Sequence, residues 1–462
     1  MAIPRILIAA PRSGSGKTLV TCSLLELWKR KYSLAAFKCG PDYIDPMFHK
    51  EILGIDSRNL DSFLCGEAQI KELFRKHCRG KELAVLEGVM GYYDGLGGTS
   101  LEASTYEIAR ITDTPVILVV DSQGASRSLL PLIAGFLGYR EDSHIAGIIF
   151  NRMSPSFYPV MKKLVEEELG IRVYGYLEKL VGELPESRHL GLKMPHEYRT
   201  LQETLKELGK RAETTIDTAG LMALAGEWAE KTKKTFFPAL KRAGSFKGDL
   251  RIGVARDEAF CFLYQDNLEY LEELGATLVY VSPMRDPALP KDLDGLVLYG
   301  GYPELHGPTL EANESLRKEI KEKLEQGLPC MAECGGFMYL TEAIMDQEGN
   351  RWEMVGAISG DSFFTGKLRR FGYALLDEAR IFGEKLRNLP FHEFHYFDSE
   401  EPGRDCLARK PLSARTYPCM VSRDNLFAGY PHFHYWSQSG MAEAFMNACG
   451  RYHRKKGEAE IQ

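Results

Sequence analysis

The chain begins with a short apolar run, ArgIleLeuIleAla at residues 5–9, and the apolar positions that follow, Leu19, Cys22, Leu25 and Trp28, recur at helical spacing. That spacing gives a helix one apolar face. Runs of the first kind return at Ala35–Lys38, Leu83–Leu86, Val116–Val120 and Ile145–Phe150, with helical patterns between them. Strand, helix, strand repeated in this way predicts a mostly parallel sheet wrapped on both sides by helices.

Near residues 230–248 the alternation stops in a lysine-rich stretch with proline and glycine, which reads as a linker. A second alternation then starts, with strands expected at Ile252–Ala255, Thr277–Val281, Gly295–Tyr299 and Cys330–Ala332. The expected fold class is α/β, with two doubly wound domains over residues 1–245 and 246–462. At 462 residues the chain is longer than one core usually supports, which agrees with two domains.

Hydrophobic residues at 44% and charged residues at 26% describe an ordinary globular protein, so composition excludes fibrous, collagenous and disordered classes. A net charge of -6 gives no reason to expect nucleic acid, which calls for a basic patch or stripe. No stretch approaches the apolar length of a bilayer span, and the N-terminus runs into the first strand rather than a signal segment. A cytoplasmic location is the expectation. The ten cysteines lack paired C-x-x-C spacing, and Cys22, Cys65, Cys330 and Cys449 fall on apolar segments, as reduced core residues do.

Candidate chemistry starts at the first strand-to-helix turn, AlaProArgSerGlySerGlyLysThr at residues 10–18. Gly14 and Gly16 let backbone N–H groups and the helix N-terminus face phosphates. Lys17 adds a point charge, and the Thr18 hydroxyl is a ligand for Mg²⁺. Pro11 stands where the usual pattern G-x-x-x-x-G-K-S/T has its first glycine, so the loop is a variant.

Four further segments follow strands, where a nucleotide site on such a sheet draws its residues. FKCGPDYIDP after the second strand carries Lys38, Asp42 and Asp45; EGVMGYYDG after the third carries Glu87 and Asp94. Asp121-Ser122 and Asn151-Arg152 follow the fourth and fifth. Mg²⁺ takes hard oxygen ligands and shares them with phosphate, so Thr18, Asp45 and Glu87 form a plausible set. A single carboxylate at a strand end is more commonly a helix cap; four strand ends of this kind together favour a site.

In the second half, MetAlaGluCysGlyGlyPhe at residues 331–337 sets Cys334 between a buried strand and a helix, in the sharp turn of a nucleophile elbow. A helix N-terminus and a neighbouring histidine are expected to lower its thiol pKa. GYPHFH at residues 429–434 supplies that histidine. Gly335 and Gly301, the latter in the turn TyrGlyGlyTyrProGlu at 299–304, are the oxyanion candidates.

These motifs, with PESRHLGL at 185–192, GGYPELH, AECGGFMYL and HEFHY, resemble in order and spacing the cobyrinic acid a,c-diamide synthases, from about residue 4 to residue 450. The resemblance implies an ATP-dependent amide-forming domain like dethiobiotin synthetase, fused to a flavodoxin-like class I glutamine amidotransferase domain. It implies that Cys334 attacks glutamine with His432 as base, and that ammonia passes inside the protein to a carboxylate activated by MgATP as an acyl phosphate. The a and c acetates of the macrocycle would then be amidated in turn.

By the matching motifs, Gly14, Gly16, Lys17, Thr18 and Asn151 hold nucleotide and Lys38 stabilises the transferring phosphoryl group. Asp45, Glu87 and Thr18 bind Mg²⁺, and Asp94 positions the activated acetate. The partners implied are the tetrapyrrole macrocycle, glutamine and ATP; oligomeric state stays open, with a homodimer as one outcome. The chain departs from the wider class I pattern H-x-E, because His434 stands two residues after His432. That suggests a Cys-His dyad, with the G-Y-x-H frame favouring His432 over His434 as base.

For the macrocycle, Arg188-His189 and HEFHY, with His392 and His395, mix cations and aromatics, and Arg369-Arg370 is a candidate for the same surface. A strand carrying core histidines is the alternative for HEFHY, and a solvated charge pair for the double arginine. Another macrocycle (nickel-sirohydrochlorin, hydrogenobyrinic acid or sirohaem) and a P-loop switch ATPase with an inactive binding module stay open beside the leading reading.

Overall fold

The computed structural model describes residues 3–179, 201–232, 249–437 and 439–461. The chain divides into two compact units, residues 1–240 and 241–462. The boundary expected at 245/246 and most of the expected linker lie outside the described residues, as do Arg188 and His189.

Unit 1 holds seven parallel strands: β1 (Arg5–Ala9), β2 (Leu34–Cys39), β3 (Ser57–Leu60), β4 (Leu83–Glu87), β5 (Val116–Asp121), β6 (Ile145–Asn151) and β7 (Val173–Leu177). Their order is β3-β2-β4-β1-β5-β6-β7. Every residue of β1, β2 and β4 is buried. This is why the apolar runs announced them: a strand covered on both faces needs apolar residues throughout, not at alternate positions. Helix α1 (Lys17–Trp28) inserts Val20, Leu24 and Trp28 into a core with Ile6, Ile8 and Val85. Each such side chain contributes about 1.5–3 kcal/mol when fully buried. The chain's path reverses beside β1, so the carboxyl ends of β1, β2 and β4 face one crevice, the usual ligand position of an open α/β sheet.

Unit 2 contributes β8 (Leu250–Ala255), β9 (Ala276–Val281), β10 (Gly295–Leu298), β11 (Cys330–Glu333), β12 (Ala343–Met345), β13 (Arg351–Glu353), β14 (Asp361–Ile381), β15 (Glu384–Ser399), β16 (Cys406–Arg409), β17 (Thr416–Cys419), β18 (Val421–Ser422), β19 (Leu426–Gly429) and β20 (His432–Phe433). A six-stranded sheet runs β18-β19-β11-β10-β8-β9, parallel except for the β18/β19 pair. It is the doubly wound sheet the alternation predicts.

A second, mixed seven-stranded sheet is built around the β14/β15 hairpin, and sequence periodicity does not announce it. Strand β14 carries two register shifts between Phe364 and Gly372, and its burial alternates irregularly, so neither a period of two nor an unbroken apolar run marks it. All ten cysteines are free thiols, and all but Cys261 are buried. Among the described residues no helix is long and apolar enough to cross a membrane.

Candidate active sites

In unit 1 the loop after β1 turns through Gly14 and Gly16, at φ +76° and +94°. Gly16 is obligatory for packing as well as for backbone angle: a methyl group there would lie 2.1 Å from Asn151 Nδ2. That amide, at the end of β6, donates 2.9 Å to Ser15 O and buttresses the loop. Gly91 lets the loop after β4 approach the backbone at Pro11: a methyl there would meet Pro11 O at 2.6 Å and Asp94 Oδ2 at 2.3 Å. Asp94 accepts from Gly91 N at 2.8 Å and so shapes the loop after β4.

Lys38, Asp45, Glu87 and Thr18 converge. Lys38 Nζ pairs with Asp45 and lies 3.0 Å from Glu87 Oε1, while the Thr18 hydroxyl donates to the same Glu87 oxygen at 2.6 Å. Lys38 sits at this point because β2 and β4 are in register, Lys38 opposite Glu87. Burial alone would raise the Glu87 pKa; Lys38, His49 and Thr18 outweigh it and hold the carboxyl well below its usual range. Asp45 moves the other way: burial, then repulsion from Glu87, raises its pKa despite Lys38. Asp45 and Glu87 thus share one cation, Lys38, which favours the ionised form of Glu87 over that of Asp45.

His49 was not anticipated, and Arg152 was expected only as part of the Asn151-Arg152 strand end, with no role of its own. His49 lies one turn beyond Asp45 on α2 (Ile44–Leu53), fully buried, with Nε2 3.2 Å from Glu87 Oε2. Arg152 reaches both Asp121, at 2.9 Å, and the carbonyl of Gly14, at 3.4 Å. The i, i+4 spacing of Asp45 and His49 is the one sequence signal available for the first. Lys17 is buried with Nζ donating 2.5 Å to Met90 O. Burial, then repulsion from Lys38, lowers its pKa to about 8.

In unit 2, Cys334 occupies the residue before a short helix, Gly335–Leu340, at φ +48°, ψ −108°. A cysteine in this region of backbone space is strained, as at a nucleophile elbow. Its N–H bonds to Gly429 O at 2.8 Å and its carbonyl receives Met338 N at 2.9 Å, so the turn is pinned on both sides. The thiol does not have the lowered pKa the sequence suggests. Burial raises it, with nearby Glu304 adding to the effect, so the resting group is a thiol that needs a base.

His432 is placed to be that base. A methyl on Gly300 would lie 2.6 Å from His432 Cε1, 3.5 Å from His432 Nε2 and 3.4 Å from Cys334 Cβ, so both groups flank one point that only glycine leaves open. His434 instead faces Tyr264, ring centroids 4.9 Å apart. Asn267 locks the segment between them and beyond, donating to Phe433 O and accepting from Tyr435 N. Gly301 N lies 3.0 Å from where a methyl on Gly335 would sit, so the two expected oxyanion turns adjoin.

HEFHY forms part of β15, and His392 is the cross-strand partner of His432. Their rings stack at 4.9 Å, and His392 Nε2 meets Tyr264 OH at 2.9 Å. His395 stacks on Tyr430 at 4.0 Å. Burial holds both imidazoles neutral, lowering His395 to about 3, so they stand beside the cysteine site as buried neutral rings rather than as exposed cations. Arg369 and Arg370 both pair with Asp398. Replacing Gly300 by alanine is expected to displace the His432 ring at about 1–3 kcal/mol of stability and to cut glutamine hydrolysis at least tenfold, measured by glutamate release and thermal unfolding.

Residues 6–190 match the family described as the CobQ/CobB/MinD/ParA nucleotide binding domain, and residues 251–440 match the CobB/CobQ-like glutamine amidotransferase domain. A nucleotide-binding unit joined to a glutamine amidotransferase unit defines the class: a glutamine-dependent amide-forming ligase. A cobyrinate a,c-diamide synthase of Caldanaerobacter subterraneus is 38% identical over 97% of this chain and 99% of its own. That of Listeria monocytogenes is 38% identical over 97% of this chain and 100% of its own, and that of Thermoplasma volcanium is 36% identical over 99% of each. The chain belongs to the cobyrinate a,c-diamide synthase family.

Proposed function

We propose that this enzyme amidates the a and c acetate carboxylates of cobyrinic acid, with nitrogen from glutamine and activation by MgATP. The observation that carries the reading is that one chain holds both halves of such chemistry: a strained Cys334 facing His432, and a P-loop against the Lys38–Asp45–Glu87 cluster.

In unit 2, His432 Nε2 takes the thiol proton as Sγ attacks the glutamine carboxamide carbon. The oxyanion forms beside the backbone N–H groups of Gly301 and Gly335. Collapse of the tetrahedral adduct expels ammonia, protonated by the same imidazole, and leaves a glutamyl thioester that water hydrolyses.

In unit 1, Gly14, Gly16 and Lys17 hold the phosphates, Asn151 shapes the loop that does so, and Lys38 balances the charge of the phosphoryl group in transfer. The oxygen-only donor set of Thr18, Asp45 and Glu87, two of them buried carboxyl groups, suits a hard divalent cation. Bound Mg²⁺ would neutralise phosphate charge there. A carboxylate is a poor electrophile; once phosphorylated, its oxygen leaves as phosphate when ammonia attacks. Asp94 is assigned to positioning the acetate.

The direct test uses macrocycle labelled with oxygen-18 in its acetates. One labelled oxygen should appear in inorganic phosphate per amide formed; unlabelled phosphate would sink the acyl-phosphate route.

The pH dependence of nucleotide binding follows from Lys17. Its pKa of about 8 without ligand means it loses its proton as pH rises past that value, and bound phosphates favour the charged form. MgATP affinity should therefore be full near neutrality and fall as pH rises above about 8, with proton uptake on binding in that range, read by calorimetry in two buffers.

A further inference from the structure

We infer that Glu333, the residue before the nucleophile, orients His432 and takes the place of the glutamate that the H-x-E pattern puts two residues after the histidine. The inference rests on the reading of Cys334 and His432 given above and adds a third member to that pair.

Strand β11 ends at Glu333, and its side chain is buried, 3% exposed. Its Oε2 lies 3.5 Å from His432 Nδ1, at the outer edge of hydrogen-bond reach, while His432 Cε1 and Nε2 face the Gly300–Cys334 side of the ring. The imidazole is thus spanned by a carboxylate on one nitrogen and the thiol side on the other. With Nδ1–H directed at Glu333, Nε2 keeps the lone pair that accepts the Cys334 proton, and the imidazolium formed is balanced by the carboxylate.

The H-x-E position cannot do this here: His434 points to Tyr264. The other groups facing His432 do not supply an anion to Nδ1. His392 stacks on its face as a neutral ring, and His395 is neutral as well. Glu304 acts on Cys334, as does Glu393, whose Oε2 accepts the Tyr417 hydroxyl. A buried carboxylate adjoining a buried imidazole is also costly unless the two are paired.

The test compares Glu333→Gln and Glu333→Asp with the parent for glutamine-dependent and ammonia-dependent amidation. Glu333→Gln should lower kcat with glutamine by on the order of 10–100-fold with KM for glutamine little changed, and leave ammonia-dependent turnover intact. The acidic limb of its kcat/KM profile should move to lower pH, because the amide no longer stabilises the imidazolium form. Glu333→Asp should recover part of the loss. Parent-like kcat in Glu333→Gln, or an equal loss with ammonia, would overturn the inference; glutamine use that survives Cys334→Ala would instead overturn the reading of the pair itself.

Discussion

Replacing Cys334 by alanine should abolish glutamine-dependent amidation, by on the order of 10³-fold or more, and leave ammonia-dependent amidation close to the parent rate. The size of the loss follows from the chemistry: no other group adjoining His432 can form the thioester, and a carboxamide is not attacked by water at a useful rate. The survival of ammonia use follows from the location of the substitution, in the unit that does not bind nucleotide. Folding should be undisturbed, because alanine removes only the sulfur and keeps Cβ at a position whose backbone strain is held by Gly429 O and Met338 N. Parallel assays with glutamine and with ammonium salts, and a melting curve, check all three statements.

Lys38→Met should have the opposite selectivity. It removes the cation that Asp45 and Glu87 share while keeping the aliphatic stem. Amidation should fall with either nitrogen source by on the order of 10²–10³-fold or more. Glutamine hydrolysis at Cys334 should persist. The same change leaves two buried carboxylates without their partner, which costs about 3–5 kcal/mol. Part of that cost is relieved by protonation, since Asp45 already has a raised pKa and Glu87 loses the main group holding its own pKa down. The variant should therefore regain more stability than the parent as pH falls from neutrality toward 5, because Asp45 takes up a proton in both whereas Glu87 is held ionised in the parent. Urea unfolding at two pH values distinguishes the two.

How much of this was legible before the fold depends on what each residue's role requires. Buried parallel strands impose apolar runs on the sequence, so β1, β2, β4, β5 and β6 could be read within a residue or two of their ends. Lys38, Glu87 and Cys334 were legible for the same reason: each stands at or just past the carboxyl end of such a strand. Strand β3 was not, because SerArgAsnLeu is a short, half-exposed edge segment with little apolar character. The β14/β15 hairpin was not, because its register shifts break any period.

The missed site residues share a different cause. Gly300, His49 and Glu333 acquire meaning only through neighbours distant in sequence: His432, Glu87 and His432 again. Glu333 stood in view within the AECGG motif, yet a glutamate at a strand end has several bland explanations until the imidazole is seen beside it. The histidines of HEFHY show the converse. Their residue types suggested a pocket of cations and aromatics; in the fold His392 stacks on His432 and His395 on Tyr430, both as buried neutral rings.

Nitrogen from glutamine should reach carboxylates of cobyrinic acid on this one chain. Mass spectrometry of cobyrinic acid incubated with the enzyme, MgATP and amide-labelled nitrogen-15 glutamine tests it most directly. Two successive amidations are expected, each carrying the label, confined to the a and c acetates. A macrocycle returned unchanged while glutamate accumulates, or amides placed on other side chains, would contradict it.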